Sequence, residues 1–159
     1  MNPYRLETLV ADIFKANHSH AEVIHVGKPH DGGVDVFFVD ADQKQWLIQV
    51  KRREKANSTE PVETIRNLLG TMLLEGACHG IVVSTADRFS YQAYQAVNRA
   101  EEVGMTVKLI DRGILNRMLE AVLPNVFPWL MSLVNSYAEF PADSFRKIPD
   151  PNYQQLTLW

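Results

Sequence analysis

Three polar side chains interrupt two otherwise apolar segments at a spacing that suits metal-assisted chemistry. Asp35 lies in the apolar run 34–39, and Gln49 and Lys51 lie in the run 45–51. A short polar turn between two β-strands would place Asp35 almost opposite Gln49 and Lys51, because side chains alternate between the faces of a strand. A carboxylate, an amide oxygen and an ammonium group can therefore converge.

These three groups suit the hydrolysis of a phosphodiester bond. Asp35 and the side-chain oxygen of Gln49, helped by the main-chain carbonyl of Val50, can hold a hard divalent cation such as Mg²⁺. Lys51 can position a water molecule and offset charge on the phosphate. Glu7 lies in the first predicted helix, and it would add a second carboxylate if that helix packs beneath the two strands.

Each of these residues also has an ordinary structural explanation. Asp35 could cap a turn, Gln49 could be a polar residue facing the edge of a sheet, and Lys51 could end its strand in solvent. Taken singly, none of the three distinguishes a reaction site from a normal polar position.

A local basic run follows the predicted site in a chain that is acidic overall. The 159 residues carry a net charge of −3, so no overall positive field attracts DNA. The basic run consists of Lys51, Arg52, Arg53 and Lys55. We expect Arg52, Arg53 and Lys55 to contact a DNA backbone beside the site. The alternative is a solvated loop, since Glu54 and Glu60 dilute the charge.

The elements that must position these residues follow from hydrophobic periodicity and turn residues. The predicted helices cover about residues 2–17, 62–75, 90–103 and 111–137, and the predicted strands cover 21–26, 34–39, 45–51, 80–84 and 105–110. The order α-β-β-β-α-β-α-β-α predicts an α/β fold, with an antiparallel hairpin beside two strands that a crossover helix joins. We expect one domain over residues 1–137 and a flexible tail over 138–159.

Several segments of the chain form a recognisable combination. They are Glu7, His30-Asp31-Gly32-Gly33-Val34-Asp35, Gln49-Val50-Lys51-Arg52, and the segments 62–70, 80–85 and 109–111. Together they resemble the Mrr-type restriction endonuclease family of the PD-(D/E)xK nuclease superfamily. The resemblance implies a restriction-endonuclease-like mixed sheet flanked by helices, with DNA as the substrate.

The same resemblance implies roles for individual residues. Asp35 and Gln49 would be metal-site residues, Lys51 the catalytic lysine and Glu7 the acid of the first helix. Apart from the resemblance, the position of His30 in its turn predicts a contact with DNA. In this family a glutamine replaces the usual acidic residue of the superfamily, as Gln49 does here. Because a neutral ligand holds a metal less strongly, we expect a need for millimolar Mg²⁺ or a preference for Mn²⁺.

The last five residues are unusually apolar for the end of a polar tail. They are Gln155-Leu156-Thr157-Leu158-Trp159, and they resemble the peptide by which bacterial replication and repair proteins bind the DNA sliding clamp. Gln155 would form a hydrogen bond at the rim of a groove, and Leu156, Leu158 and Trp159 would fill an apolar pocket. The alternative is a segment that folds back on this domain or on a second copy of it.

Taken together, these patterns predict a Mg²⁺-dependent DNA endonuclease in DNA repair or replication-coupled processing. One alternative is a DNA-binding or clamp-docking module that does not cleave, and another is the cleavage subunit of a defence system against foreign or modified DNA. Cutting both strands would favour a homodimer.

Two further expectations concern location and the single thiol. The chain has neither an apolar signal-peptide core nor a stretch long enough to span a bilayer, so we expect a cytoplasmic protein without membrane association. Cys78 is the only cysteine, and we expect it to be a small buried residue.

Overall fold

The computed structural model describes residues 3–25 and 34–126. The described helices are α1 (Pro3–Asn17), α2 (Val62–Glu75), α3 (Tyr91–Glu102) and α4 (Arg112–Val126). The described strands are β1 (Glu22–His25), β2 (Val36–Val39), β3 (Gln45–Lys51), β4 (Thr59–Glu60), β5 (His79–Ser84), β6 (Arg88–Phe89) and β7 (Thr106–Ile110).

In the described residues, five of the strands form one mixed sheet in the order β1-β2-β3-β5-β7. Strands β1, β2 and β3 pair in antiparallel fashion, whereas β3, β5 and β7 are parallel. This arrangement confirms the α/β fold with a mixed sheet that the sequence predicts. The two short strands β4 and β6, which pair with each other in parallel, were not predicted.

Helices cover both faces of the sheet, and each face has its own core. On the first face, α1 and α4 pack against the β3 residues Trp46, Ile48 and Val50. On the second face, α2 and α3 pack against Leu47 of β3 and Val82 of β5. The strand in the middle of the sheet is therefore buried on both sides, and the alternation along it decides which face each side chain reaches.

Local signals explain where α2 ends and where α3 begins. The Ser90 hydroxyl accepts a hydrogen bond from the Ala93 amide at 3.2 Å and caps the start of α3. Helix α2 ends at Gly76, whose φ of 68° lies in the left-handed region that favours glycine. The predicted bounds, about 62–75 and 90–103, agree with both positions.

Helix α2 also lies unusually close to strand β5 at Gly80. A Cβ atom built at Gly80 would lie 2.5 Å from Met72 Sδ and 2.9 Å from Leu68 Cδ2. Because Met72 and Leu68 are buried, the absence of a side chain at Gly80 allows this close packing.

The remaining expectations meet the structure in different ways. Cys78 is exposed, so the expectation that it is buried was wrong; it lies in the turn between α2 and β5 rather than in either core. Helix α4 continues through Pro124, while the predicted domain end at residue 137 and the tail 138–159 lie outside the described residues. None of the described helices is both long and apolar enough to cross a membrane.

Candidate functional site

The hairpin of β2 and β3 brings Asp35 to the end of β3, as its predicted register requires. Val36 pairs with Ile48, and the Asp35 amide donates to the Ile48 carbonyl at 3.0 Å. The Asp35 carboxylate then accepts a hydrogen bond from the Val50 amide at 2.6 Å. Asp35 is thus tied directly to the residue that separates Gln49 from Lys51.

Gln49 occupies a buried position with an unsatisfied acceptor. It pairs in register with Val82, so its side chain lies on the face covered by α2 and α3. Only 4% of Gln49 is exposed, and its Oε1 atom has no hydrogen-bond partner among the described residues. Because buried acceptors are nearly always paired, this oxygen is suited to a ligand.

Lys51 ends strand β3 and is only partly buried. Its register partner on β5 is Ser84, and its carbonyl accepts a hydrogen bond from the Thr85 amide at 3.0 Å. Within the part of the chain that the structure describes, the Lys51 ammonium group forms no ion pair. Side-chain alternation places Lys51 on the same face as Gln49, two residues further along the strand.

Glu7 lies on a different face of the sheet. It is partly buried beside Leu6 in α1, and this helix does pack beneath the hairpin, but against the face that carries Trp46, Ile48 and Val50. Across residues 3–25 and 34–126, no group of three His, Cys, Asp or Glu side chains could hold a metal ion. A cation site here would therefore need the Gln49 amide oxygen and main-chain carbonyls, and the role of Glu7 stays a prediction.

The structure divides the basic run after the site into paired and unpaired residues. Arg52 forms an ion pair with Glu54 at 2.7 Å, and Arg53 forms one with Glu60 at 2.6 Å. Lys55 is exposed and has no ion pair among the described residues. The local positive charge is therefore smaller than the count of lysines and arginines suggests.

Glu60 is a buried carboxylate next to the site that sequence reasoning treated only as a charge in the loop. Burial raises the pKa of Glu60, but hydrogen bonds from Arg53, Ser84 and Thr64 outweigh that effect and hold the pKa below its ordinary value of 4.5. The one local signal was the spacing of Glu60 and Thr64, four residues apart across the start of α2. The contact with Ser84 spans 24 residues of sequence and has no local signature.

The other predicted contact residues lie outside the described residues. These are His30 and the tail residues Gln155, Leu156, Leu158 and Trp159. Their proposed contacts with DNA and with a sliding clamp therefore rest on the sequence.

Solved structures with a similar fold include a restriction endonuclease. The DNA modification-dependent restriction endonuclease AspBHI is 20% identical with a TM-score of 0.59, and the match covers 85% of this chain and 36% of that chain. A protein of unknown function, AF1548, is 15% identical with a TM-score of 0.55 over 73% of this chain and 66% of its own. EndoMS in its apo form is 14% identical with a TM-score of 0.50, and the match covers 70% of this chain and 46% of that chain.

These structural similarities establish the fold alone, because the identities are low. This chain spans about a third of the length of AspBHI. No curated protein matches the sequence. A protein family described as restriction endonuclease does match, over residues 1–119, and this range includes Asp35, Gln49 and Lys51. The chain therefore belongs to the Mrr_cat restriction endonuclease family.

Proposed function

We propose that this protein is a metal-dependent endonuclease that hydrolyses phosphodiester bonds in DNA. The observation that carries the proposal is the buried Oε1 atom of Gln49, which has no partner among the described residues. Gln49 lies in β3, and the amide of the next residue, Val50, donates a hydrogen bond to the Asp35 carboxylate at 2.6 Å. Membership of a restriction endonuclease family supports the same reaction.

The donor atoms at this position fit a hard divalent cation. A buried acceptor without a partner costs about 1–3 kcal/mol, and a bound cation would remove that cost. Asp35, Gln49 and the Val50 carbonyl would hold Mg²⁺ or Mn²⁺. We also propose Glu7 as an additional ligand, which would have to reach the cation from α1 on the other face of the sheet. When bound, the metal would supply Lewis-acid stabilisation of the phosphate and lower the pKa of a coordinated water.

The remaining residues of the site would act on the water and on the DNA. The Lys51 ammonium group would orient the attacking water and offset the charge that develops on the phosphate. Arg52, Arg53 and Lys55, together with His30, would contact the DNA backbone on either side of the bond that is cut.

Replacing Lys51 by alanine tests the proposal. Lys51→Ala should lower the cleavage rate by about 100-fold or more, because the water and the phosphate lose their cationic partner. Cleavage should be measured on plasmid, branched, mismatched and modified DNA with Mg²⁺ and with Mn²⁺. Lys44→Ala is the matched control, since Lys44 lies in the exposed turn before the opposite end of β3.

The same experiment distinguishes cleavage from binding alone. If the wild-type protein and Lys51→Ala bind DNA but are equally inactive on every substrate with either metal, the protein is a non-cleaving module and our proposal is wrong. Loss of activity in Lys51→Ala but not in Lys44→Ala, with equal thermal stability of the two variants, supports it.

We further propose that the tail delivers this domain to DNA by binding a sliding clamp, which would place its activity in DNA repair or replication-coupled processing. The pattern of Gln155, Leu156, Leu158 and Trp159 supports this proposal. A clamp would raise the local concentration of DNA for a chain whose net charge is −3. Trp159→Ala should abolish binding to a purified bacterial clamp, whereas Tyr153→Ala, outside the five-residue pattern, should leave it intact. Equal binding by both variants would contradict clamp docking.

The substrate panel also addresses the role in defence. Modified DNA belongs in it because AspBHI, which shares the fold, is a DNA modification-dependent restriction endonuclease. Cleavage restricted to modified DNA, without any effect of a clamp, would favour a defence subunit over repair. Sedimentation of the protein with and without DNA would test whether cutting involves a homodimer.

A further inference from the structure

Glu60 is a fully buried carboxylate that receives four hydrogen bonds. Its exposed fraction is 0%, and each carboxylate oxygen accepts two hydrogen bonds. Arg53 Nη2 and Thr64 Oγ1 donate to Oε1, and Arg53 Nε and Ser84 Oγ donate to Oε2. The two bonds from Arg53 are 2.8 and 2.6 Å long. Such a buried pair is poor evidence for stability, because apolar replacements often serve equally well, so another role is worth considering.

The donors to Glu60 come from both sides of Lys51. Arg53 lies two residues after Lys51 along the chain, and Ser84 is the register partner of Lys51 on the neighbouring strand. Glu60 thus connects the end of β3 to the end of β5 at the level of Lys51.

Thr85 fixes the backbone of the same segment. Its amide donates to the Lys51 carbonyl at 3.0 Å, and its hydroxyl accepts from the Arg53 amide at 2.6 Å. The same hydroxyl oxygen lies 3.0 Å from the Arg53 carbonyl, to which it donates. The backbone of residues 51–53 is therefore held by Thr85, while the Arg53 side chain is held by Glu60.

We propose that Glu60 is a positioning residue: by holding Arg53 and Ser84 it fixes residues 51–53, and with them the Cα atom from which the Lys51 side chain reaches the reaction site. This inference rests on the proposed nuclease function for the reaction that Lys51 serves. A flexible lysine side chain can place its ammonium group reproducibly only if its backbone is fixed, and small displacements of a catalytic group reduce rates strongly.

Glu60→Gln tests this role because it keeps the shape of the side chain but removes its charge. One acceptor oxygen becomes a donor, so the paired contact with Arg53 is lost. We expect kcat to fall by about 10- to 100-fold and KM for DNA to change much less, because Arg53 is only one of the proposed DNA contacts. A variant that is merely less stable would lose activity in proportion to its unfolded fraction, which thermal unfolding measures.

Amide hydrogen exchange supplies a readout that does not depend on activity. In Glu60→Gln, exchange at the amides of Arg53 and Thr85 should accelerate by about tenfold or more relative to the wild type, because both hydrogen bonds lie in the segment that Glu60 holds. The amides of the hairpin turn, including Asp42 and Lys44, should exchange as in the wild type.

Asp87→Asn is the matched control variant. Asp87 accepts a hydrogen bond from the Ser58 amide at 3.1 Å and pairs with Arg112 at 3.4 Å. It therefore joins the segment after β3 to the segment after β5 without contacting residues 51–53. Ser84→Ala is a milder second variant that removes one of the four donors, for use if Glu60→Gln does not fold. Ser84→Ala should lower kcat and accelerate amide exchange at residues 51–53 as Glu60→Gln does, but by smaller factors.

The outcomes separate the two proposals. If the wild type cleaves DNA and Glu60→Gln or Ser84→Ala lowers kcat and loosens residues 51–53 while Asp87→Asn does neither, the positioning role is supported. If the wild type cleaves but Glu60→Gln retains its kcat and exchange rates, the positioning role is wrong and the nuclease function stands. If the wild type does not cleave, the nuclease function fails, and unchanged exchange at residues 51–53 would also overturn the role of Glu60.

Discussion

At the scale of the residue, Gln49 is buried and its Oε1 atom has no hydrogen-bond partner among the described residues, which has a cost for stability. Gln49→Met keeps the length of the side chain and removes the unsatisfied acceptor. In the absence of metal we expect the free energy of unfolding to rise by about 1 kcal/mol. Urea unfolding measures this change, with Gln45→Met at the exposed start of the same strand as the control.

The same variant should lose the effect of a divalent cation. With Mn²⁺ present, the wild type should gain thermal stability and Gln49→Met should not, since its thioether is a poor ligand for a hard cation. A Gln49→Met protein that is less stable than the wild type without metal, yet equally stabilised by Mn²⁺, would contradict the assignment of Oε1 as a ligand.

Glu60 predicts how stability depends on pH. Because its pKa lies below 4.5 in the folded protein, Glu60 contributes stability that is fully present above 4.5 and is lost as the pH falls through the lowered pKa. The free energy of unfolding of the wild type should therefore decrease at acid pH more steeply than that of Glu60→Gln. Chemical unfolding of both proteins from neutral pH to below 4.5 checks this, and parallel curves would show that Glu60 is not paired as described.

Individual residues were predictable where their environment is local. The register of the hairpin placed Asp35 beside Gln49 and Lys51, because one short turn fixes which residues lie opposite each other. The burial of Glu60 was not predictable in this way. Its carboxylate is held by Arg53, Ser84 and Thr64, and contacts between segments that are separate in sequence keep this charged residue stable in the interior.

At the scale of the element, the approach of α2 to β5 depends on the missing side chain at Gly80. Gly80→Ala would place a Cβ atom 2.5 Å from Met72 Sδ, and both Met72 and Leu68 are buried with little room to move. We expect a loss of about 1–3 kcal/mol in the free energy of unfolding. Gly70 lies in α2, and no atom lies within 4 Å of a Cβ atom built there. Gly70→Ala should instead raise the free energy of unfolding by about 0.5–1 kcal/mol.

A double variant tests the proposed cause. Met72→Ala should be destabilising by itself, but Gly80→Ala should cost less in that background because the sulfur atom is absent. Additive effects in denaturant unfolding would mean that the clash at Gly80 is not with Met72.

Most helices and strands could be predicted because their patterns are periodic and their ends carry glycine, proline or capping residues. Strand β3 matched its predicted bounds, and α1, α2 and α3 matched closely. Strands β4 and β6 could not be predicted, since each has two residues and exists only through its partner. Thr59 pairs with Arg88, 29 residues further along the chain, and no periodicity arises in so short a segment.

At the scale of the whole molecule, the weak positive field near the site makes individual charges important for the proposed binding of DNA. Glu54 neutralises Arg52 in an ion pair between partly exposed side chains. Glu54→Gln should therefore tighten DNA binding at low salt, by up to about fivefold, the upper range for a surface ion pair. Fluorescence anisotropy at several salt concentrations measures this effect, which should disappear at high salt.

Glu75→Gln provides the control for net charge. It makes the same change of one charge at the exposed end of α2, away from the end of β3. If Glu75→Gln tightens binding as much as Glu54→Gln, the effect reflects the overall charge of −3 and not the release of Arg52.

The exposed thiol of Cys78 offers a fixed point from which to test the proposed path of DNA. Cys78 is the only cysteine of the chain and precedes β5, whereas Lys51 lies beside the last residue of that strand. A six-residue strand spans roughly 20 Å, so a dye on Cys78 lies well away from Lys51. A donor dye on the wild-type protein can therefore report the direction in which a labelled duplex crosses the domain, without any mutation and with the dye far from the reaction site.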